Sequence, residues 1–384
     1  MNLIMLFRNI VNFLYIFSIV NDNFLVEQLG PMSLKFVFVI FFVANFMAIF
    51  RFNYKTRVNK NFLFLIFMLI LSYVLNLKNY SDIQQPLLSI LSMLMIFVVS
   101  STYHNPQILL KFFLISVFFS SLICINSDTT LSEYTFRKTG GTGDPNEFST
   151  MLLVSIAYMI GGFRSGTSTI QKLVQISVIM VYLIALLMAG SKSAMLVLAL
   201  LVFIYFILLL KKRSFKSKVN ITISYIVFFV LIVFVLWHIN PEMIVNVLGR
   251  FEDNSTAGER FISWMAGFKM WMRSPFVGIG PQNYVNMIAQ NYSYIAESSR
   301  AAHSIYVQSL VEIGLFGFIP FLTFITCLIK NSIRDFLQIQ YVLGLLCILV
   351  MGATLASFYE KYVWFYFGII CNPLIMRPKA KEQN

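Results

Sequence analysis

About twelve apolar runs, most of them near the length a helix needs to cross a hydrocarbon core, leave this chain few ways to fold. They fall near residues 3 to 20, 33 to 50, 62 to 77, 86 to 103, 108 to 125, 148 to 163, 173 to 189, 194 to 210, 219 to 239, 303 to 329, 336 to 355 and 362 to 376. About 20 apolar residues cross the core as a helix, where each backbone polar group is satisfied within the segment. The expectation is an all-α polytopic membrane protein of about twelve transmembrane helices. Its composition agrees: 58% of residues are hydrophobic, 12% are charged and the mean hydropathy is +0.78, outside the soluble globular range. The first run lacks a small-x-small cleavage pattern and is expected to be a retained span. Cys124, Cys327, Cys347 and Cys371 all fall in apolar runs, at spacings that build neither a disulfide framework nor a zinc site.

Lysine and arginine placement orients such a bundle. With both termini cytoplasmic, the inside segments hold sixteen cations, from Arg51 to Lys381, and the short outside segments hold five: Lys78, Arg137, Lys138, Lys192 and Lys361. That bias is the positive-inside pattern. The net charge of +13 therefore reports topology and contact with anionic lipid headgroups, and no nucleic-acid partner is expected. The basic run KKRSFKSK at 211 to 218 is read as a cytoplasmic anchor. His104, in a short inner turn, and His238, at the end of the ninth run, are expected to be structural or solvent-facing.

Polar stretches carry whatever chemistry the chain has. The longest, 240 to 302, separates a bundle of about nine helices at 1–239 from C-terminal helices and a tail at 303–384. Within it Thr256 and Glu259 have capping-box spacing, and Phe261, Trp264, Met265, Phe268, Trp271 and Met272 recur at the interval of an amphipathic helix. This helix is expected on the membrane surface, with its tryptophans as interfacial anchors. Pro275 ends it, and Gly278, Gly280 and Pro281 form a turn. The loop holds five acids (Glu242, Glu252, Asp253, Glu259, Glu297) and five cations (Arg250, Arg260, Lys269, Arg273, Arg300), so it is no basic patch. His303 stands where this loop meets the next apolar run. Glu312, ten positions into that run, is an intramembrane acid and on that ground a candidate functional residue.

Two shorter stretches also face outward. In TGGTGDPNEFS, Asp144-Pro145-Asn146 is either a turn that caps the sixth helix or a pair of side chains able to bond a sugar hydroxyl. In AGSKSA, Lys192 sits at the outer lip of the bundle, as a snorkelling cation or as the partner of an anion such as pyrophosphate. Familiar soluble chemistries are absent: no phosphate-binding Gly-x4-Gly-Lys loop, no dinucleotide fingerprint, no His-Glu-x-x-His, no Cys-x-x-Cys and no Asp-x-Asp pair. Any group transfer is expected to use a donor already activated and already in the membrane.

The ordered set GRFEDNSTAGERFISWMAGFKMWMRSPFVGIGPQNY and HSIYVQSLVEIGLFG resembles the signature region of the O-antigen polymerase and ligase family of bacterial envelope glycosyltransferases. Its Arg250, Arg260-x3-Trp264, Pro275-x-x-Gly278-x-Gly280 and His303-x-x-Tyr306 followed by Glu312-x-Gly314-x-x-Gly317 match that family's pattern in order. GDPNEFS and GSKS resemble upstream elements of the same family, and the likeness extends over about residues 140 to 320. Ser304 stands where the family has asparagine, and Lys192 where it has arginine, which keeps the charge and loses the bidentate fork.

The resemblance implies a GT-C-like fold in the bacterial inner membrane with a periplasmic active loop. The implied substrate is a glycan on undecaprenyl pyrophosphate, and no metal or cofactor is required. His303 is then the base or acceptor-orienting group, since imidazole takes a proton near neutrality. Arg260, Arg250 and Lys192 hold the pyrophosphate. Asp144, Asn146, Asn283, Tyr306 and Glu312 are candidate sugar or supporting contacts. Implied partners are the lipid-linked oligosaccharide, membrane lipids and, as a candidate, a chain-length regulator protein. Polymerisation of O-antigen or capsular repeat units is the leading expectation, because the Asp-Pro-Asn element is more like the polymerase branch. A ligase acting on lipid A core is the alternative within the family, and a lipid-linked oligosaccharide flippase or exporter is the alternative outside it. A transporter should show repeated halves, and no repeat is evident.

Overall fold

The computed structural model describes residues 3–80, 82–126, 131–132, 135–162, 168–210, 255–295, 300–334 and 339–376. The ninth expected run, the basic anchor at 211 to 218, His238 and Arg250 lie outside them. The described chain is an all-α membrane protein with one short hairpin. Its helices are α1 (Leu3–Val20), α2 (Asp22–Leu29), α3 (Met32–Asn45), α4 (Ala48–Arg51), α5 (Arg57–Leu75), α6 (Gln84–Thr102) and α7 (Pro106–Asn126). Strands β1 (Leu131–Ser132) and β2 (Thr135–Lys138) pair antiparallel. Then come α8 (Pro145–Gly161), α9 (Thr169–Ala189), α10 (Lys192–Leu210), α11 (Ser255–Arg273), α12 (Tyr284–Asn291), α13 (Ile305–Arg334), α14 (Ile339–Met351), α15 (Lys361–Cys371) and α16 (Pro373–Met376).

Among the described residues six helices are long and apolar enough to cross a membrane: α1, α5, α6, α7, α9 and α13. The bent pair α2–α3 makes seven if it counts as one span, and the apolar stretch Lys192–Leu208 of α10, with α14 and α15, is shorter. The expected twelve are not confirmed: among the described residues several runs break or fall short of a full-length span. The run at 33 to 50 divides into α3 and α4, and the last run ends at Asn372-Pro373. The hairpin, not expected from the sequence, occupies part of the stretch leading to Asp144.

Side chains face outward as a lipid solvent requires. Leu3, Phe36, Phe50 and Phe203 are at least 60% exposed, while Phe62, Phe97, Phe324 and Trp364 are buried at the centre. The Phe62 and Phe97 rings stack at 3.8 Å between centroids. Buried hydroxyls bond back into their own helices, as Ser121 does to Val117 O and Ser155 to Met151 O, both within 2.9 Å. The C-terminal helices are woven into the N-terminal bundle: α13 runs along α5, α14 along α8 and α15 along α6.

Helix ends sort the polar segments. Phe24 N donates to Gly141 O (3.1 Å), Gly141 N to Ser120 Oγ (2.8 Å) and Ile305 N to Gly352 O (2.7 Å). The segments around 21, 141, 190, 280, 303 and 360 thus collect at one end of the bundle. Residues 51–60, 103–106 and 372 collect at the other, where Asn372 Nδ2 donates to Tyr103 O at 2.9 Å.

Candidate functional site

The site is assembled at the end that carries Asp144, upon a joint the sequence does not announce. Helix α13 is not continuous: Gly314 has φ 59° and ψ −171°. Such a break frees backbone polar groups, which at membrane depth must find partners in protein. The turn after Pro275 supplies them. Ile279 N donates to Val311 O (3.1 Å), Gly280 N to Glu312 O (2.9 Å), Leu315 N to Pro275 O (2.8 Å) and Phe316 N to Phe276 O (3.0 Å). The two backbones approach so closely that a Cβ at Gly278 would lie 2.6 Å from Ile313 N, and one at Gly314 2.6 Å from Val277 N. Glycine is needed at both positions, for space and for positive φ.

Glu312 secures this joint. Fully buried, its carboxylate accepts from Gln282 N (2.9 Å), Tyr284 N (3.2 Å) and the Tyr359 hydroxyl (2.6 Å). A buried carboxylate is tolerable when paired in this way. Asn283 is buried beside it and donates to Ile279 O at 3.0 Å. The Tyr306 hydroxyl donates to Leu349 O at 3.0 Å and ties α13 to α14. The structure therefore places Asn283, Tyr306 and Glu312 in the scaffold under the site.

Above the joint lies α11. It begins at Ser255, so Thr256 sits one residue inside the helix and not at its cap. Its Ser263, Ala266 and Met270 face the protein, and Phe261, Met265 and Met272 are exposed, an apolar outer row suited to a membrane surface. Both tryptophans pin loops: Trp264 Nε1 donates to Ala302 O (2.6 Å) and Trp271 Nε1 to Pro275 O (3.1 Å). Ser263 Oγ donates to Ala301 O at 2.9 Å. The two residues before His303 are thus held on the face of α11 that carries Arg260 one turn earlier.

His303 itself has φ 45°, a left-handed conformation that is uncommon outside glycine. The bonds to Ala301 and Ala302 on one side, and Ile305 N to Gly352 O on the other, impose it. Strain held in place by its surroundings is a mark of functional positions. Ser304 follows, buried, with its carbonyl accepting from Gln308 N (2.9 Å) and its hydroxyl from Val307 N (3.4 Å). Serine is a good N-cap, so the departure from asparagine at this position leaves the start of α13 properly capped.

The upstream elements meet the same end. Asp144 caps α8, its Oδ1 accepting from Asn146 N (2.6 Å) and Glu147 N (3.1 Å), with Pro145 at the first helical position. Its charge also acts on Arg260 across the site: burial pulls the Arg260 guanidinium below the ordinary arginine range, and Asp144 pushes it back up. An arginine so placed stays charged. Asn146 Oδ1 accepts from Arg137 Nη2 (2.8 Å) and from Ser191 Oγ (2.9 Å), and Arg137 Nε donates to Ala189 O (2.9 Å). Lys192, next to Ser191, is thereby brought to the Asp-Pro-Asn element.

Arg137 is the residue that sequence reasoning missed. It counts there only as an outside cation, and its sole signal is its position seven residues before Asp144. A group of carboxylates was missed as well. Asp22, Asp144, Glu147 and Glu360 lie within electrostatic range of one another and of Lys361, although they come from three distant parts of the chain. Burial raises the Glu360 carboxyl above the ordinary carboxylate range, against the pull of Lys361. Among the described residues no group of three or more His, Cys, Asp or Glu could hold a metal ion.

This end of the bundle thus carries cations, carboxylates, amides and a histidine from separate parts of the chain. Residues 175–322 match the family described as O-antigen ligase, a stretch that takes in Lys192, Arg260, His303 and Glu312. No curated protein matches the chain. Members of the matched family are membrane glycosyltransferases and ligases, and the match does not separate its polymerases from its ligases. Over residues 175–322 the chain is thus similar to the O-antigen polymerase and ligase family.

Proposed function

We propose that this protein polymerises undecaprenyl-pyrophosphate-linked oligosaccharide repeat units into O-antigen or capsular polysaccharide at the outer face of the inner membrane. The observation that carries the reading is the meeting of four separate stretches at one end of the bundle: GDPN, GSK, the Arg260 turn of α11 and the His303 start of α13. Sidedness is supported by the lysine and arginine bias, since the cation-rich 51–60 segment lies at the opposite end.

In the reaction a sugar hydroxyl of one lipid-linked unit attacks the anomeric carbon of another. The bond from that carbon to the pyrophosphate oxygen breaks with its electron pair, and the lipid pyrophosphate leaves. His303 takes the hydroxyl proton, and the anomeric centre inverts. Arg260, Lys192 and Arg250 stabilise the departing charge. Asn146 fixes Arg137 and Ser191 around the site, and Asp144 holds Arg260 in orientation. A phosphate leaving group already activated needs positioning and electrostatics more than a metal.

Deletion of the gene tests the reading through the length pattern of surface glycan on a gel. A polymerase leaves single capped units. Because the matched family is described as O-antigen ligase, transfer of finished chains to lipid A core is the second reading. It would leave long lipid-linked chains that never reach lipid A. Loss of both capped units and chains, with unmodified units trapped inside, would point to a flippase and overturn the proposal.

A further inference from the structure

At the end of the bundle away from the site, a second group of cations gathers in a notch. Arg8 of α1 lays its guanidinium over the Tyr103 ring, 5.1 Å from the centroid, with Nη2 3.4 Å from His104 Nδ1. Tyr103 is a fixed platform: its hydroxyl donates to Asn9, its N–H to Val99 O (2.9 Å), and its carbonyl accepts from Asn372 Nδ2 (2.9 Å). Arg51, the last residue of α4, lines the same notch, together with Asn45 and Thr102. Among the described residues no carboxylate lines it.

Arg8 Nε is buried there and has no hydrogen-bond partner among the described residues. Leaving a charged group's N–H unmade is costly, and arginine cannot escape by losing its proton. Burial first, and then the charges of Arg8 and Arg51, hold the His104 imidazole below its ordinary proton affinity. The surroundings on either side are apolar and face outward: Phe7 is 57% exposed, Met47 61% and Phe50 72%. A ligand with an anionic head and hydrocarbon tails meets both features.

We propose that this notch binds a phosphate group, presented by an anionic phospholipid headgroup of the surrounding leaflet. Two guanidiniums offer forked donors that match phosphate oxygens, and basic pockets between membrane helices are where such headgroups dock. The site is separate from the proposed glycosyl transfer, and its test does not depend on that activity.

Native mass spectrometry of the full-length protein in uncharged detergent, titrated with phosphatidylglycerol, phosphatidylcholine or inorganic phosphate, reads the affinity directly. Phosphatidylglycerol is expected to be retained more tightly than phosphatidylcholine. Arg51→Gln and Arg8→Gln should each weaken it about ten-fold, with Lys55→Gln and Lys60→Gln, cations of the same end outside the notch, unchanged. Arg51 is exposed at a helix end, so its variant keeps the test open should Arg8→Gln not fold. Equal losses in all four variants would mean a diffuse basic surface, and no loss in any would mean no site; either overturns the proposal. Inorganic phosphate that binds as tightly and displaces the lipid would overturn the headgroup assignment.

Discussion

Replacing Gly278 by alanine should dislodge the turn on which the site rests. Two costs add at this position. Its φ of 78° is left-handed, a conformation costing a non-glycine residue about 1–2 kcal/mol. The new methyl would also fall 2.6 Å from Ile313 N, and forcing a methyl into packed backbone costs about 1–3 kcal/mol more. The total, about 2–5 kcal/mol, is a large share of the stability of a folded chain. Two other glycines separate the terms. Gly30 has φ 80° and nothing within 4 Å of an added Cβ, so alanine there should cost the backbone term alone. Gly143 has open space and no positive φ, so alanine there should cost close to nothing. Thermal unfolding of the three purified variants should therefore rank Gly143→Ala, Gly30→Ala and Gly278→Ala from least to most destabilised. If Gly278→Ala unfolds together with Gly143→Ala, the interlock of the turn with the break in α13 does not hold the fold.

Three further outcomes follow from the same geometry. Asn146→Ala removes the acceptor shared by Arg137 Nη2 and Ser191 Oγ, at about 1–3 kcal/mol for the buried Ser191 hydroxyl. Polymer yield at matched membrane levels should fall sharply, and Asn146→Asp, which keeps the acceptor, should recover part of it. Glu312→Gln keeps the shape but has one accepting oxygen in place of two for Gln282 N, Tyr284 N and the Tyr359 hydroxyl. It should lower the unfolding midpoint, with Glu312→Ala lower still; a midpoint equal to that of the unsubstituted protein would remove Glu312 from the scaffold. Arg260→Lys should be active near neutrality and lose activity at alkaline pH, below the ordinary lysine range, because burial lowers the proton affinity of a cation here and lysine starts about two units below arginine. The unsubstituted enzyme should keep its charge across that range, and identical pH profiles would count against a role for the cation.

What the sequence allowed one to see divides along physical lines. Membrane class, the amphipathic helix Ser255–Arg273 and its stop before Pro275 follow from local rules, apolar run length, a helical interval and a missing N–H, and each was legible. So was the N-cap role open to Asp144, because capping involves neighbours in sequence. The gathering of the GDPN, GSK, Arg260 and His303 stretches at one end of the bundle was visible only as a family pattern. The contacts that bring it about, Trp264 to Ala302 and Asn146 to Ser191, join residues 38 and 45 positions apart. The roles of Gly278 and Gly314 were hidden for the same reason: each is explained by a backbone more than 30 residues away. Arg137 was hidden by its type, since a loop cation is usually a solvated one.

Synthesis with purified components would probe the core of this account most directly. Full-length protein and a lipid-pyrophosphate-linked repeat unit, with no other protein, should yield glycan polymer and release one lipid pyrophosphate per bond formed. His303→Asn should fold normally, because asparagine tolerates left-handed backbone, and should form no polymer. Polymer made by His303→Asn at the rate of the unsubstituted protein would contradict the account.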